Sequence, residues 1–461
     1  MGMKKNDEFT VLIEDITSDG EGIGRVDGFA LFVKDTIMGD VAKVKVMKTK
    51  KTYGFACLVE IIEPSPYRVE PRCELAKKCG GCQIQHCSYE KQLEYKENKV
   101  LNCLLRIGKL KDVPMEPIMG MEEPYYYRNK AQFPVGRDKD GKVVIGFYAG
   151  RTHTIMDTSH CYIQGPVNET LIKVIRDFME EKNIEPYQEE THTGLVRHIV
   201  TRIGFKTGEI MVCLVLNGRK LPYAENLVES LTRIPGMTSI TLNVNTEKTN
   251  AILGREIIPL WGQAYITDYI GDIKYQISPL SFYQVNPKQT EKLYETALEY
   301  ADLHGEETVW DIYCGIGTIS LFLAQKAKQV YGVEIVPEAI CDAKKNAEIN
   351  HITNATFFTG AAEEVLPKKY AESKGAMGAH VIVVDPPRKG CEEILLETIV
   401  KMKPERVVYI SCDPATLARD VCYMEAHGYK VKRVRACDMF GQSVHVEAVV
   451  LMTYCGDKPE K

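Results

Sequence analysis

The sequence predicts an α/β protein in three parts: a small all-β module, a mixed α+β centre, and a C-terminal part on a buried parallel sheet. Three observations carry this reading. At 461 residues the chain exceeds what one hydrophobic core usually organises. Its 44% hydrophobic and 26% charged residues are the balance of a folded protein and exclude global disorder. The hydrophobic pattern also changes rhythm twice, which divides the chain into residues 1–63, 64–275 and 276–461.

In residues 1–63, VLIEDI, FALFVKD, DVAKVKVMK and FACLVEII alternate as short strands, punctuated by Gly20, Gly22 and Gly24. Lys43, Lys45, Lys48, Lys50 and Lys51 fall close together, and period-2 spacing puts Lys43 and Lys45 on one face. Such a run is either a solvated, aggregation-resistant strand edge or a patch for RNA phosphates. Proline-bearing EPSPYR closes the module. Residues 88–110 read as a helix whose stripe of Leu93, Val100, Leu101, Leu104 and Leu105 is expected to pack in a core. In the centre, RNKAQFPVG, VVIGFYAG, IVTRIGF, IMVCLVLNG and SITLNVN read as strands, and GPVNETLIKVIRDFMEEKN as a helix. Tyr125-Tyr126-Tyr127-Arg128-Asn129-Lys130 mixes rings with cations, suited either to packing or to stacking on splayed bases.

Beyond residue 276 strands alternate with helices: TVWDIYCG, QVYGVEI, ATFFTG, HVIVVDPP and RVVYISCD, closed by HVEAVVLMTY. Nearly continuous apolar strands such as VIVVD are those of a parallel sheet covered on both faces. Ligands of such sheets bind beyond the carboxyl ends of the strands, where Asp311, Tyr313, Gly315, Gly317, Glu334, Asp385 and Cys412 collect. Gly315 and Gly317 let backbone approach a ligand, and Glu334 can accept both hydroxyls of a ribose. The third glycine of a dinucleotide fingerprint is missing, which favours the smaller S-adenosylmethionine. In DPPR (385–388), two prolines stiffen the backbone that presents Asp385. Cys412 precedes a helix start, a position at which a thiol pKa can fall.

With these motifs in place the chain resembles the S-adenosylmethionine-dependent RNA uracil-5-methyltransferases, most closely the bacterial 23S rRNA enzymes. FYQVN (282–286), DIYCGIGT (311–318), GVE (332–334), DPPR, SCDPATLARD (411–420) and HVE (445–447) occur in the family's order. The resemblance implies a Rossmann-like methyltransferase domain, an OB-like β-barrel of the TRAM type, and a mixed α+β central domain. It implies that Gln284, Tyr313, Glu334 and Asp385 contact the donor, with Asp311, Gly315, Gly317 and Thr318 completing its site. It makes Cys412 the nucleophile and Glu447 the base. Where the family usually reads MFP-x-T, this chain has Met439-Phe440-Gly441-Gln442-Ser443, so the support of the Glu447 loop is expected to differ.

Cys73, Cys79 and Cys82, with glycines at 80 and 81, suggest a metal site. On spacing alone, zinc and an iron–sulfur cluster are comparable, with His86 and Cys87 as nearby candidates for a fourth ligand. The resemblance implies a [4Fe–4S] cluster on Cys73, Cys79, Cys82 and Cys161, without a redox step in catalysis. It also favours ribosomal over transfer RNA, because the family's transfer-RNA enzymes generally lack both the TRAM module and the cysteines. The net charge of −5 argues against a generally basic coat. No export signal and no apolar run near 18 residues is recognisable. The expectation is a cytoplasmic protein with reduced cysteines, whose partner is RNA rather than DNA or a membrane. The rivals are a vestigial RNA-binding protein, a nucleotide-binding iron–sulfur redox protein, and a cytosine-5 methyltransferase, whose usual Pro-Cys nucleophile is replaced here by Ser411-Cys412.

Overall fold

A computed structural model describes residues 3–150, 152–158, 160–373 and 377–456. The chain divides into two compact units. The first holds Met1–Lys99 with the short segments Tyr148–His153 and Phe440–His445; the second holds the remainder.

In the first unit, β1 (Glu8–Ile16), β2 (Gly22–Val26), β3 (Phe29–Val33), β4 (Val41–Thr49) and β5 (Tyr53–Glu63) close into a barrel of order β1-β2-β3-β5-β4. Alternation builds it: in β4, Ala42, Val44 and Val46 point inward while Lys43 and Lys45 face out. Phe32, Tyr53 and Phe55 form a half-buried ring cluster on the outer face, with Phe32 and Tyr53 stacked at 5.1 Å. Helix α1 (Tyr89–Arg106) starts in this unit.

The second unit holds two larger sheets. The first is formed by β7 (Lys130–Arg137), β8 (Val143–Tyr148), β9 (Ile155–Asp157), β10 (Val196–Ile203), β11 (Ile210–Leu216), β12 (Met237–Val244) and β13 (Glu256–Gly262), in the order β13-β12-β11-β10-β7-β8-β9. Helices α2 (Val167–Glu181) and α3 (Ala224–Thr232) contribute to its core. In α2 the stripe Leu171, Ile172, Ile175, Phe178 and Met179 is buried, so Leu171→Ala would cost roughly 2–5 kcal/mol. A hairpin of β14 (Ile266–Ile270) and β15 (Ile273–Ile277) follows.

The second sheet holds β16 (Thr308–Ile312), β17 (Gln329–Glu334), β18 (Ala355–Thr359), β19 (Val381–Val384), β20 (Arg406–Ser411), β21 (Tyr429–Cys437) and β22 (Glu447–Tyr454). Its eighth strand is β6 (Met115–Met119), which adds to the edge strand β21, although it lies in the stretch that the sequence reading gave to the centre. The order β18-β17-β16-β19-β20-β22-β21-β6 reverses direction of winding between β16 and β19. Strands β16 to β20 run parallel and β22 runs antiparallel to β20. Helices α4 (Pro287–Ala301), α5 (Thr318–Ala324), α6 (Pro337–Ile349), α7 (Ala362–Glu372), α8 (Glu393–Met402) and α9 (Pro414–Ala426) belong to this region. The expected α/β architecture with an N-terminal barrel is therefore present. Among the described residues no helix is long and apolar enough to cross a membrane.

Candidate active site at the strand ends

Strand register brings the site together. The parallel strands end at Ile312, Glu334, Val384 and Ser411, so the residues that follow them emerge along one edge. Because β22 is antiparallel, its first residue, Glu447, starts at that same edge. Ser411 pairs with Ala448, which sets Cys412 and Glu447 beside each other.

The carboxylates here are under mutual pressure. Asp311 is fully buried; burial and the charge of Glu334 push it up to about 7, against the hydroxyl of Ser320, which donates to Oδ2. Its Oδ1 has no partner among the described residues. Asp385 is pushed up to about 7 by burial and by Asp311. Glu447, 4% exposed, is pushed up to about 8 by burial and by Asp385. Isolating a negative charge from water disfavours it, and a second one nearby adds to the cost.

Cys412 departs from the sequence expectation. The helix start behind it suggested a lowered thiol pKa; instead burial, Glu447 and Asp385 raise it to about 11. The amides at the start of α9 are engaged elsewhere: Asp413 caps that helix by accepting from the amides of Ala415 and Thr416 at 2.9 and 3.1 Å. Arg388 is the counterweight, its positive charge lowering both Cys412 and Glu447.

An open cleft of about 900 Å³ is lined among others by Ser281, Phe282, Gly315, Glu334, Ile335 and Asp342. Of the site residues expected from sequence it takes in Gly315 and Glu334, while Asp311, Asp385, Cys412 and Glu447 are not in its lining. Glu334 is held ready in it: its two oxygens accept from the amides of Gly315 at 3.2 Å and Val336 at 2.9 Å. The loop above β16 needs left-handed backbone at Tyr313, Gly315 and Gly317, with φ of 70°, 54° and 81°. A Cβ on Gly317 would also stand 3.2 Å from Ala343 and Phe357, so glycine is needed twice over. Thr318 opens α5, and its Oγ1 pairs with the Tyr294 hydroxyl at 2.9 Å. Gln284 is buried, and its carbonyl accepts from Asn129 Nδ2 at 2.9 Å. Glycine backbone at Gly315 and the Glu334 carboxylate in the lining of this cleft suit the hydroxyls of a nucleoside.

Several supporting residues escaped the sequence reading. Arg388 stood in DPPR but was given no role. Thr416 and Arg419 on α9 donate to the carbonyls of Arg388 and Lys389, and buried Asp420 accepts from the Cys391 amide and the Tyr409 hydroxyl, which together hold the loop after Asp385. Buried Arg202, on β10, and Asn129, just ahead of β7, bond the backbone of Ser281, Gln284 and Val285. Arg202 carries no sequence signal, since its partner is a carbonyl far along the chain; Asn129 stands in the ring-and-cation stretch expected to pack or to meet RNA, and here it holds backbone.

The cysteine segment is less assembled. Burial and the neighbouring Cys73 raise the thiol of Cys79, while the Gly81 amide donates to its Sγ at 3.4 Å. Cys73 and Cys79 are therefore neighbours, but among the described residues no group of three or more His, Cys, Asp or Glu side chains is arranged to hold a metal. Cys82 belongs to the same segment, and Cys161 to the second unit. Cys87 packs with Ile37, Ile84 and Val444 in an apolar cluster. Of the tyrosines, Tyr127 is buried, while Tyr125 and Tyr126 pack against Tyr162 at 6.4 and 6.2 Å. Lys43 pairs with Glu8 at 2.9 Å; Lys45, Lys48, Lys50 and Lys51 form no ion pair among the described residues.

Barrel, cleft and strand-end groups together define a methyltransferase fold preceded by an RNA-binding type of module. Residues 88–454 match the model of the tRNA (uracil-5-)-methyltransferase family, and residues 3–59 that of the TRAM domain. The chain belongs to the uracil-5 RNA methyltransferase family. It is 51% identical over 457 residues to an uncharacterized RNA methyltransferase of Clostridium tetani, covering 99% of this chain and 98% of the relative. A namesake from Halalkalibacterium halodurans is 52% identical over 451 residues, covering 98% of each. Among solved structures, the Pyrococcus abyssi tRNA (uracil-54, C5)-methyltransferase, in complex with S-adenosyl-L-homocysteine, superposes with a TM-score of 0.78 at 29% identity. It covers 96% of this chain and 99% of its own.

Proposed function

We propose that this RNA methyltransferase transfers a methyl group from S-adenosylmethionine to carbon 5 of a uridine in 23S rRNA, with Cys412 as nucleophile and Glu447 as base. The observation that carries the assignment is the pairing of β20 with β22, which sets a half-buried thiol beside a buried carboxyl whose pKa lies near neutrality. Uracil carbon 5 is too weak a nucleophile to take a methyl group unaided. Cys412 first loses its thiol proton to solvent; the thiolate then adds to carbon 6, and the electron pair of the 5,6 double bond moves to make carbon 5 nucleophilic. S-adenosylmethionine, when bound, supplies the electrophilic methyl group. Glu447 then takes the proton left on carbon 5; that electron pair restores the double bond and expels the Cys412 thiolate. Arg388 favours the thiolate. Asp311, Asp385 and Glu334 gather negative charge where a sulfonium cation is to be held, which favours this donor over a dinucleotide. A stacked uridine hides its ring face, so the target must be unpaired or flipped out.

The proposed organisation is a barrel over 1–63, a central domain over 64–275 and a catalytic domain over 276–461. On the barrel, the unpaired lysines and the Phe32–Tyr53–Phe55 ring cluster suit phosphates and bases. Cys73, Cys79, Cys82 and Cys161 are proposed to hold a [4Fe–4S] cluster; the all-thiol donor set and the N–H···S contact at Cys79 suit one. Iron and broad visible absorbance in anaerobically purified protein test it, and zinc without iron overturns it. The cytoplasm is the compartment proposed, since RNA is the substrate there.

Transfer RNA is the second reading, favoured by the Pyrococcus enzyme, whose likeness extends over nearly this whole chain and so includes the barrel. Trapping on 5-fluorouridine RNA followed by peptide sequencing tests the chemistry: linkage is expected at Cys412, and linkage elsewhere overturns it. Mapping 5-methyluridine in both RNA classes from cells with and without the gene decides the substrate.

A further inference from the structure

The loop ahead of Glu447 is built in an unusual way. Gln442 has a left-handed backbone, φ 69°, and is 2% exposed. A bulky residue avoids that conformation unless its surroundings impose it, and such outliers gather where geometry serves function. Gly441 stands beside it where the family's proline would stiffen the chain.

What imposes the conformation is Gln92 on α1. Its Oε1 accepts from the Gln442 amide at 3.0 Å, and its Nε2 donates to Gln442 Oε1 at 3.0 Å. The same Nε2 also bonds the carbonyls of Cys87 at 2.9 Å and Ile84 at 3.2 Å. The Ile84 amide returns a bond to the Gln442 carbonyl, at 3.2 Å, and Val444 packs with Ile84 and Cys87. Around this centre Lys96 donates to the Phe440 carbonyl at 2.9 Å and Lys99 to the Val444 carbonyl at 3.0 Å. One buried amide side chain thus ties the end of the cysteine-bearing segment to the loop that leads, three residues after Val444, into Glu447.

We propose that Gln92 is a positioning residue for the elimination step: it locks residues 440–445 to the cysteine-bearing segment, and so sets where the Glu447 carboxylate stands when it takes the carbon-5 proton. The proposal rests on the assignment of Glu447 as base. Addition of the thiolate and capture of the methyl group do not use Glu447 as a proton acceptor, so disturbing Gln92 falls chiefly on the last step, with the charge of Glu447 touching the first only through the Cys412 thiol. The proton then stays on carbon 5, the carbon–sulfur bond stays intact, and enzyme remains joined to methylated RNA.

The test compares Gln92→Leu with wild type and with Glu447→Gln, using RNA and S-adenosylmethionine. For Gln92→Leu, the first methyl transfer is expected within about twofold of wild type and donor affinity unchanged. Steady-state turnover is expected to fall on the order of 10–100-fold, the effect of misplacing a reacting group by about 1 Å, with denaturant-resistant protein–RNA adduct accumulating. Gln442→Gly, which adopts a positive φ freely, is the companion in case Gln92→Leu does not fold; it should accumulate adduct with an equal or higher melting temperature. Wild-type turnover without adduct in either folded variant overturns the proposal. So does an equal loss of methyl transfer and elimination in step with lowered stability, which is the mark of a merely structural residue. If Glu447→Gln itself releases product at the normal rate, the base assignment fails. If Glu447→Gln accumulates adduct and the other two do not, it is the role of Gln92 that fails.

Discussion

Two groups of reactive side chains in this molecule are assembled in different ways. At the edge of the eight-stranded sheet, Asp311, Asp385, Cys412 and Glu447 come from four strands, yet backbone pairing brings them to one edge. Cys73, Cys79 and Cys82 lie close in sequence, outside any named strand, with Cys79 in a single bridge to Ala149, and among the described residues no group of three or more His, Cys, Asp or Glu side chains is arranged to hold a metal. Proximity along the chain is a poor guide to convergence, and register is a good one. A site built on strand register is placed by the ladder itself, whereas the proposed cluster ligands would be held by the group they bind.

The largest expected effect lies on the strand-built side. Cys412→Ala should lower methylation by about 10⁴-fold or more, with S-adenosylmethionine affinity within about twofold of wild type by calorimetry. Substantial turnover would break the claim that register delivers the nucleophile.

Next comes Glu447→Gln, expected to lower turnover by about 10²–10⁴-fold and to leave adduct on RNA gels. It should also change stability in a defined direction. The folded pKa near 8 lies above the unfolded value near 4.5, so the folded state binds the extra proton between them, and wild-type stability falls as pH rises through that window. The variant lacks this loss, so its melting temperature should exceed that of wild type at pH 8.5 and approach it at pH 5.

On the loop-built side, Cys79→Ser or iron chelation should lower the first unfolding transition by several degrees, with donor affinity unchanged. A fall in donor affinity would erase the distinction between the two kinds of site.

A smaller effect is electrostatic. Ionised Asp311, Asp385 and Glu447 attract a sulfonium, so donor affinity should rise as pH goes from 6 to 8.5, by up to about tenfold per unit of pKa displaced, with proton release on binding. The smallest belongs to the barrel. Replacing Lys48, Lys50 and Lys51 by Gln should flatten the salt dependence of RNA binding by about 0.7 per lost phosphate contact on a single strand.

Sequence alone revealed the parallel strands because VIVVD and VVYIS are apolar without a break, and it revealed the strands of the first module because Ala42, Val44 and Val46 alternate with lysines; that these strands close into a barrel was implied by the family resemblance. It concealed β6, whose prolines 114 and 117 disqualify an interior strand but are tolerated at a sheet edge. The β14–β15 hairpin was legible in principle: Gly271-Asp272 between alternating residues is a turn signal, and Gly271 has φ 57°. At the site, residue types pointed to strand ends, but the acid–base state of Cys412 could not be read from its position before a helix. It depends on Asp385 and Glu447, which reach it only through pairing. Likewise the support of Gln442 comes from Gln92, 350 residues earlier, and no local pattern foretells it.

The place of β22 between β20 and β21 has a bearing on how damaged molecules behave. On the proposed assignment of Glu447 as base, a copy cut ahead of that strand and left otherwise intact would stay joined to each RNA it attacked. The same cut pulls a strand paired on both sides out of the sheet, so such a copy should unfold rather than persist as a trapped adduct.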